Sequence, residues 1–135
     1  MRKLLPLLLL IVAGCSSSDA PLVATDVVIN APPPGMKMSA GYLTLHNNTS
    51  AEITITRVSS PQFGSVEMHE TIIRDGISRM VALGEVTIPA KDSVSFEPGA
   101  KHLMLMRPGG ELATVSLEFY SASDLVLAVD ATISR

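Results

Sequence analysis

The feature that most narrows how this chain can fold is the rhythm of its apolar residues. Short runs of β-branched and alternating residues recur every eight to twelve positions, each closed by a turn signal, and no convincing apolar stripe repeats at the 3.6-residue period of a helix. The spacing predicts strands near 24–29, 40–46, 52–59, 65–71, 77–83, 85–88, 92–97, 101–107, 113–120 and 125–133. They are separated by Ala31-Pro32-Pro33-Pro34-Gly35, Asn47-Asn48, Pro61, Asp75-Gly76, Pro89, Pro98-Gly99 and Pro108-Gly109-Gly110. Such a chain is all-β, a two-sheet sandwich or small barrel of roughly eight to ten short strands. Val115, Leu117 and Phe119 alternate with Ser116, Glu118 and Tyr120, so this strand buries one face and wets the other. A length of 135 residues allows one domain, with no internal repeat, and one modest core.

Residues 1–14 read as an export signal, since Arg2 and Lys3 precede an apolar run from Leu4 to Ala13. That run is roughly half of what a helix needs to cross a bilayer. Val12-Ala13-Gly14-Cys15 resembles the bacterial lipoprotein signal, which implies cleavage before Cys15 and diacylglyceryl attachment to its sulfur. An ordinary secretory signal followed by an incidental free cysteine is the alternative. Two or more acyl chains give stable anchoring, whereas one binds only marginally. The expected organisation is a signal over 1–14, a lipidated Cys15 and flexible tether over 15–22, and a β domain over 23–135. Ser16 is not the Asp that favours inner-membrane retention in enterobacterial-type sorting. This points toward the outer membrane, facing the periplasm, or to the extracellular side in a single-membrane host.

Loss of Arg2 and Lys3 would remove two of ten basic side chains and leave all thirteen acidic ones. No basic patch remains for nucleic acid or for electrostatic attachment to anionic lipid. The single cysteine excludes an intramolecular disulfide, a Cys-x-x-Cys redox pair and a cysteine zinc cluster. Catalytic signatures are missing too: there is no Gly-x-Ser-x-Gly, no His-Glu-x-x-His and no phosphate-cradling glycine loop, so the chain reads as a non-enzyme. Asn47-x-Thr49 and Asn48-x-Ser50 match a glycosylation pattern that a bacterial lipoprotein does not use, and are read as turn residues.

Methionine is the sulfur that remains. In His102-Leu103-Met104-Leu105-Met106 the strand period puts His102, Met104 and Met106 on one face, about 6.5–7 Å between neighbours, with Leu103 and Leu105 on the other. Taken singly, His69 fits an exposed strand position, Met80 a core filler and His102 with Met104 an edge pair. Their joint spacing fits something else. Ten residues separate His69 from Met80, twenty-one separate Met80 from His102, and one separates His102 from Met104. This resembles the His-x10-Met-x21-His-x-Met signature of the PCuAC periplasmic copper chaperone family. Flanking text agrees in Ala40-Gly41-Tyr42-Leu43-Thr44-Leu45, Val66-Glu67-Met68-His69-Glu70 and Ile88-Pro89-Ala90. Two departures stand out, Gly99-Ala100 where members commonly have Gly-Gly, and Arg107-Pro108 where they have Gly. The Met/His-rich tail of some members is not found up to Arg135, so one principal copper per chain is expected.

The resemblance implies a cupredoxin-like Greek-key β-barrel, Cu(I) held by His69, Met80, His102 and Met104, and delivery of copper to cytochrome c oxidase or to another copper chaperone. The donor chemistry agrees independently: thioether is soft and imidazole borderline, which favours Cu(I) over zinc, magnesium or calcium. A blue-copper electron-transfer site needs a Cys thiolate, and Cys15 is assigned to lipid. A copper buffer or resistance lipoprotein without a dedicated client is the alternative function, and a metal-free scaffold sandwich is a third. Met68 should face the core, Met106 shares the His102 face, Met36 and Met38 form a pair that could make a secondary copper contact, and His46 is a surface residue.

Overall fold

The computed structural model describes residues 20–110 and 112–134; Cys15 and the proposed signal lie outside them. Its elements are all strands: β1 (Leu22–Asn30), β2 (Met38–Asn47), β3 (Ile53–Ile55), β4 (Arg57–Ser59), β5 (Phe63–Arg74), β6 (Ile77–Leu83), β7 (Val86–Ile88), β8 (Ser93–Phe96), β9 (Lys101–Pro108), β10 (Thr114–Ser121) and β11 (Asp124–Ser134). Seven of them close on themselves in the order β1-β11-β10-β4-β5-β9-β2, because β1 pairs both β11 and β2. The β1–β11 contact is parallel, and the other pairings are antiparallel. Two strands extend the barrel sideways, β8 on β2 and β6 on β5, while β3 and β7 form a separate ribbon.

Eleven strands are therefore observed among the described residues where eight to ten were expected. The extra one arises because the run 52–59 divides at Thr56: β3 pairs β7, whereas β4 joins the barrel wall beside β10. Thr56 donates its N–H to Tyr120 O at the point of exchange. The ordered wall also reaches Leu22, the last residue of the stretch expected as tether, whose side chain is buried.

Alternation determines the interior. Leu43 and Leu45 of β2, Leu103 and Leu105 of β9, and Val115, Leu117 and Phe119 of β10 are sealed inside with Ile29, Ile55 and Phe96. Burying side chains of this kind contributes about 1.5–3 kcal/mol each, before the entropy of ordering the chain is subtracted. Met68 is in this core, as its parity required. At Gly41 a Cβ would lie 3.0 Å from Ile29 Cδ1, 3.1 Å from Leu105 Cδ1 and 3.3 Å from Leu103 Cβ, so the missing side chain lets these core residues close over β2. Asn47, expected in a turn, is instead the buried last residue of β2. Its amide donates toward the carbonyls of Ala51, Ile88 and Pro89, and its Oδ1 accepts from Thr49.

Candidate metal centre

Paired residues in an antiparallel ladder project to the same face, and residues two apart along a strand do so as well. The β5–β9 register sets Ser65 opposite Met106, Glu67 opposite Met104 and His69 opposite His102. On the flanks, Met80 and Ala82 of β6 pair with Thr71 and His69, while Met38 and Ala40 of β2 pair with Met106 and Met104. The intervening Val66, Met68, Leu103 and Leu105 turn into the barrel. The outer face of one wall thus gathers His69, Met80, His102 and Met104 from three strands, with Met106 and Met38 continuing the row.

His102 is only 6% exposed although it lies on that outer face. Its Nε2 stands 3.2 Å from Met80 Sδ, so the methionine of the β5–β6 hairpin lies across the ring. Its Nδ1 is 3.1 Å from Ala100 O. A carbonyl can only accept, which puts the proton on Nδ1 and leaves the Nε2 lone pair directed at the thioether. Two electron-pair donors then face each other. For a tetrahedral d10 ion with bonds of about 2.0 Å to nitrogen and 2.3 Å to sulfur, the two donors would stand about 3.5 Å apart. The observed separation is close to that value.

His69 repeats the arrangement with its nitrogens exchanged. Its Nε2 is 2.9 Å from Glu67 Oε2, an acceptor, so Nε2 carries the proton. Its Nδ1 is buried and has no hydrogen-bond partner. An orphaned buried lone pair costs about 1–3 kcal/mol, which binding of a cation would recover. The two imidazoles meet edge to face with centroids 5.9 Å apart, and both can reach one ion at such a separation. A carboxylate and a carbonyl behind the two rings are the usual means by which a protein holds ligating histidines in one tautomer.

Met80 is 58% exposed, so a core-filler role is excluded. It lies on β6, which among the described residues pairs only with β5. Met104 is half-buried, two residues beyond His102 on the same face and directly across from Glu67. Among the described residues, no three His, Cys, Asp or Glu side chains gather as a hard or borderline metal would require. His46 takes no part: its Nε2 hydrogen-bonds Thr25 Oγ1 at 2.8 Å on the far side of β2. Sequence reasoning passed over Glu67. Its position two residues before His69 puts it on the same face, and this parity was the available signal.

Both departures from the family pattern are absorbed locally. In the β8–β9 turn the left-handed conformation falls on Gly99, φ +81°, so the neighbouring position accepts Ala100. Arg107 adopts φ +54°, a left-handed conformation that favours glycine and costs an L-residue about 1–2 kcal/mol.

The family model described as "Putative lipoprotein LpqE-like" matches residues 22–131. Two curated relatives are the uncharacterized protein RP573 of Rickettsia prowazekii, 35% identical over 75 residues or 55% of this chain, and "Putative lipoprotein Lxx21020" of Leifsonia xyli subsp. xyli, 29% identical over 101 residues or 70% of this chain. The chain spans 41% and 61% of their respective lengths. Among solved structures, the copper-bound PCuAC domain of PmoF2 superposes with a TM-score of 0.64 at 19% identity, covering 84% of this chain and 92% of that one. The Cu(I) form of DR1885 from Deinococcus radiodurans superposes with a TM-score of 0.60 at 27% identity, covering 90% of this chain and 82% of that one. The barrel is the expected cupredoxin-like one, and the chain belongs to the LpqE-like family, built on the PCuAC domain fold.

Proposed function

We propose that this protein is a lipid-anchored, extracytoplasmic Cu(I) metallochaperone whose cargo is held by His69, Met80, His102 and Met104. The observation that carries the reading is the pair of deprotonated nitrogens, His69 Nδ1 without a partner and His102 Nε2 facing a thioether. The copper-bound PmoF2 domain and Cu(I)-DR1885 share the fold and support the choice of metal. The lipoprotein name of the family supports Cys15 as the anchor.

Four uncharged donors leave the bound ion at +1, a modest charge to hold on a partly open face. The rigid half of the site consists of the two imidazoles, each braced from behind. Met80, exposed on a strand outside the closed barrel, is the donor that an incoming ligand can replace first without unpacking it. A site with two fixed donors and one displaceable thioether suits transfer between proteins. The proposed client is cytochrome c oxidase, reached directly or through another copper chaperone.

Titration with Cu(I) against a chromophoric chelator under reducing conditions tests the site. The double substitution His102→Ala and Met104→Ala should weaken binding by more than about a hundredfold, beyond the loss expected for a residue that only orients a ligand. Unchanged affinity would sink the assignment. A deletion strain tests the client: delivery predicts an oxidase poor in copper and low in activity, whereas a buffer predicts copper sensitivity with a normal oxidase.

A further inference from the structure

Resting on the copper reading, we propose that Met38 and Met106 form a second, all-thioether Cu(I) subsite beside the first, with Met104 standing between the two as a stepping donor.

Met38 and Met106 are direct partners across β2 and β9, which sets their Cβ atoms about 4.5–5.5 Å apart on the same face. Met106 and Met104 are two residues apart on β9, about 6.5–7 Å, and also share it. Each thioether stands at the end of a flexible unbranched stem, so sulfurs at these spacings can turn toward a common ion without moving the backbone. A row Met38–Met106–Met104 therefore leads along the outer wall to His102.

Neither Met38 nor Met106 is a core methionine. Among the described residues Met68 alone fills the core, while Met38 is 37% exposed and Met36, two residues earlier, is 50% exposed. Apolar side chains left in water on the outside of a closed barrel contribute little to folding. Met38, exposed and opposite Met106, keeps its thioether within reach of an ion arriving from solvent. Neutral thioethers select soft monovalent ions, Cu(I) and Ag(I), over divalent ones, and Glu67, the carboxylate across from Met104, is engaged by His69 Nε2. Lacking imidazole, the subsite is the weaker of the two. An ion taken up at Met38 and Met106 moves downhill through Met104 to the histidines.

The experiment uses the whole chain and Cu(I), with Ag(I) as a second probe, in the presence of a weak competing chelator. Wild type should take one tightly held ion and then a second, weaker one. The ε-methyl NMR signals of Met38 and Met106 should move only with the second. Met38→Leu combined with Met106→Leu nearly conserves volume and leaves the four proposed primary donors in place. It should keep the first equivalent and lose the second. The proposal is overturned if wild type takes one ion only with those two methyl signals unmoved, or if the double variant still takes two. Failure of the primary site is a different result: the first equivalent would then survive His102→Ala with Met104→Ala.

Discussion

Glu67 offers the sharpest test of the metal centre, because it is proposed to act on copper only through His69. Its Oε2 accepts the Nε2 proton at 2.9 Å and thereby presents Nδ1 to the site. Removing such a partner from a ligating histidine typically lowers metal affinity 10–100-fold. The Glu67 side chain is half exposed, so the part of its effect that comes from charge is screened, and the low end of the range applies. Glu67→Ala should then weaken Cu(I) binding about tenfold, or about 1.4 kcal/mol. Glu67→Gln keeps a carbonyl oxygen that can accept the same proton, and should lose less than about threefold. The assay is a Cu(I) competition titration of the three proteins at one pH, with thermal melting to verify that each is folded. An Ala variant that binds like wild type would refute the tautomer argument. A Gln variant as weak as the Ala variant would show that charge, or direct ligation by the carboxylate, matters more than orientation.

Two further predictions concern the scaffold. Gly41→Ala inserts a methyl group among Ile29, Leu103 and Leu105, all fully buried, and should destabilise the barrel by about 1–3 kcal/mol in chemical denaturation. Because Leu103 lies between His102 and Met104, the same substitution should also lower Cu(I) affinity in the folded protein. Asn47→Ala strips a buried donor from the carbonyls of Ile88 and Pro89, which should cost about 1–3 kcal/mol while copper binding by the folded fraction is unchanged.

Most strands and their facing could be read from the chain because they are local. A period of two sends Leu103 and Leu105 inward and His102, Met104 and Met106 outward whatever the neighbouring strands do. The same rule identified Met68 as core, and the resemblance of the His-x10-Met-x21-His-x-Met spacing to the PCuAC signature singled out the four proposed donors. The division of 52–59 into two strands escaped this reasoning, since nothing local at Thr56 says that the chain changes sheets there.

Register and closure belong to the tertiary structure. That His69 stands opposite His102, and that Met80 reaches over His102 from β6, depends on how the β5–β6 hairpin aligns with β9, which is distant in sequence. Which nitrogen each imidazole presents depends on Glu67 and on the carbonyl of Ala100, contacts that exist only once the hairpin and the β8–β9 turn are in place. The pairing of Met38 with Met106 arises in the same way, from the β2–β9 register. Residue type and parity are properties of a single strand, whereas a binding site is a property of the distances between strands, and those are set by the packing of the barrel they enclose.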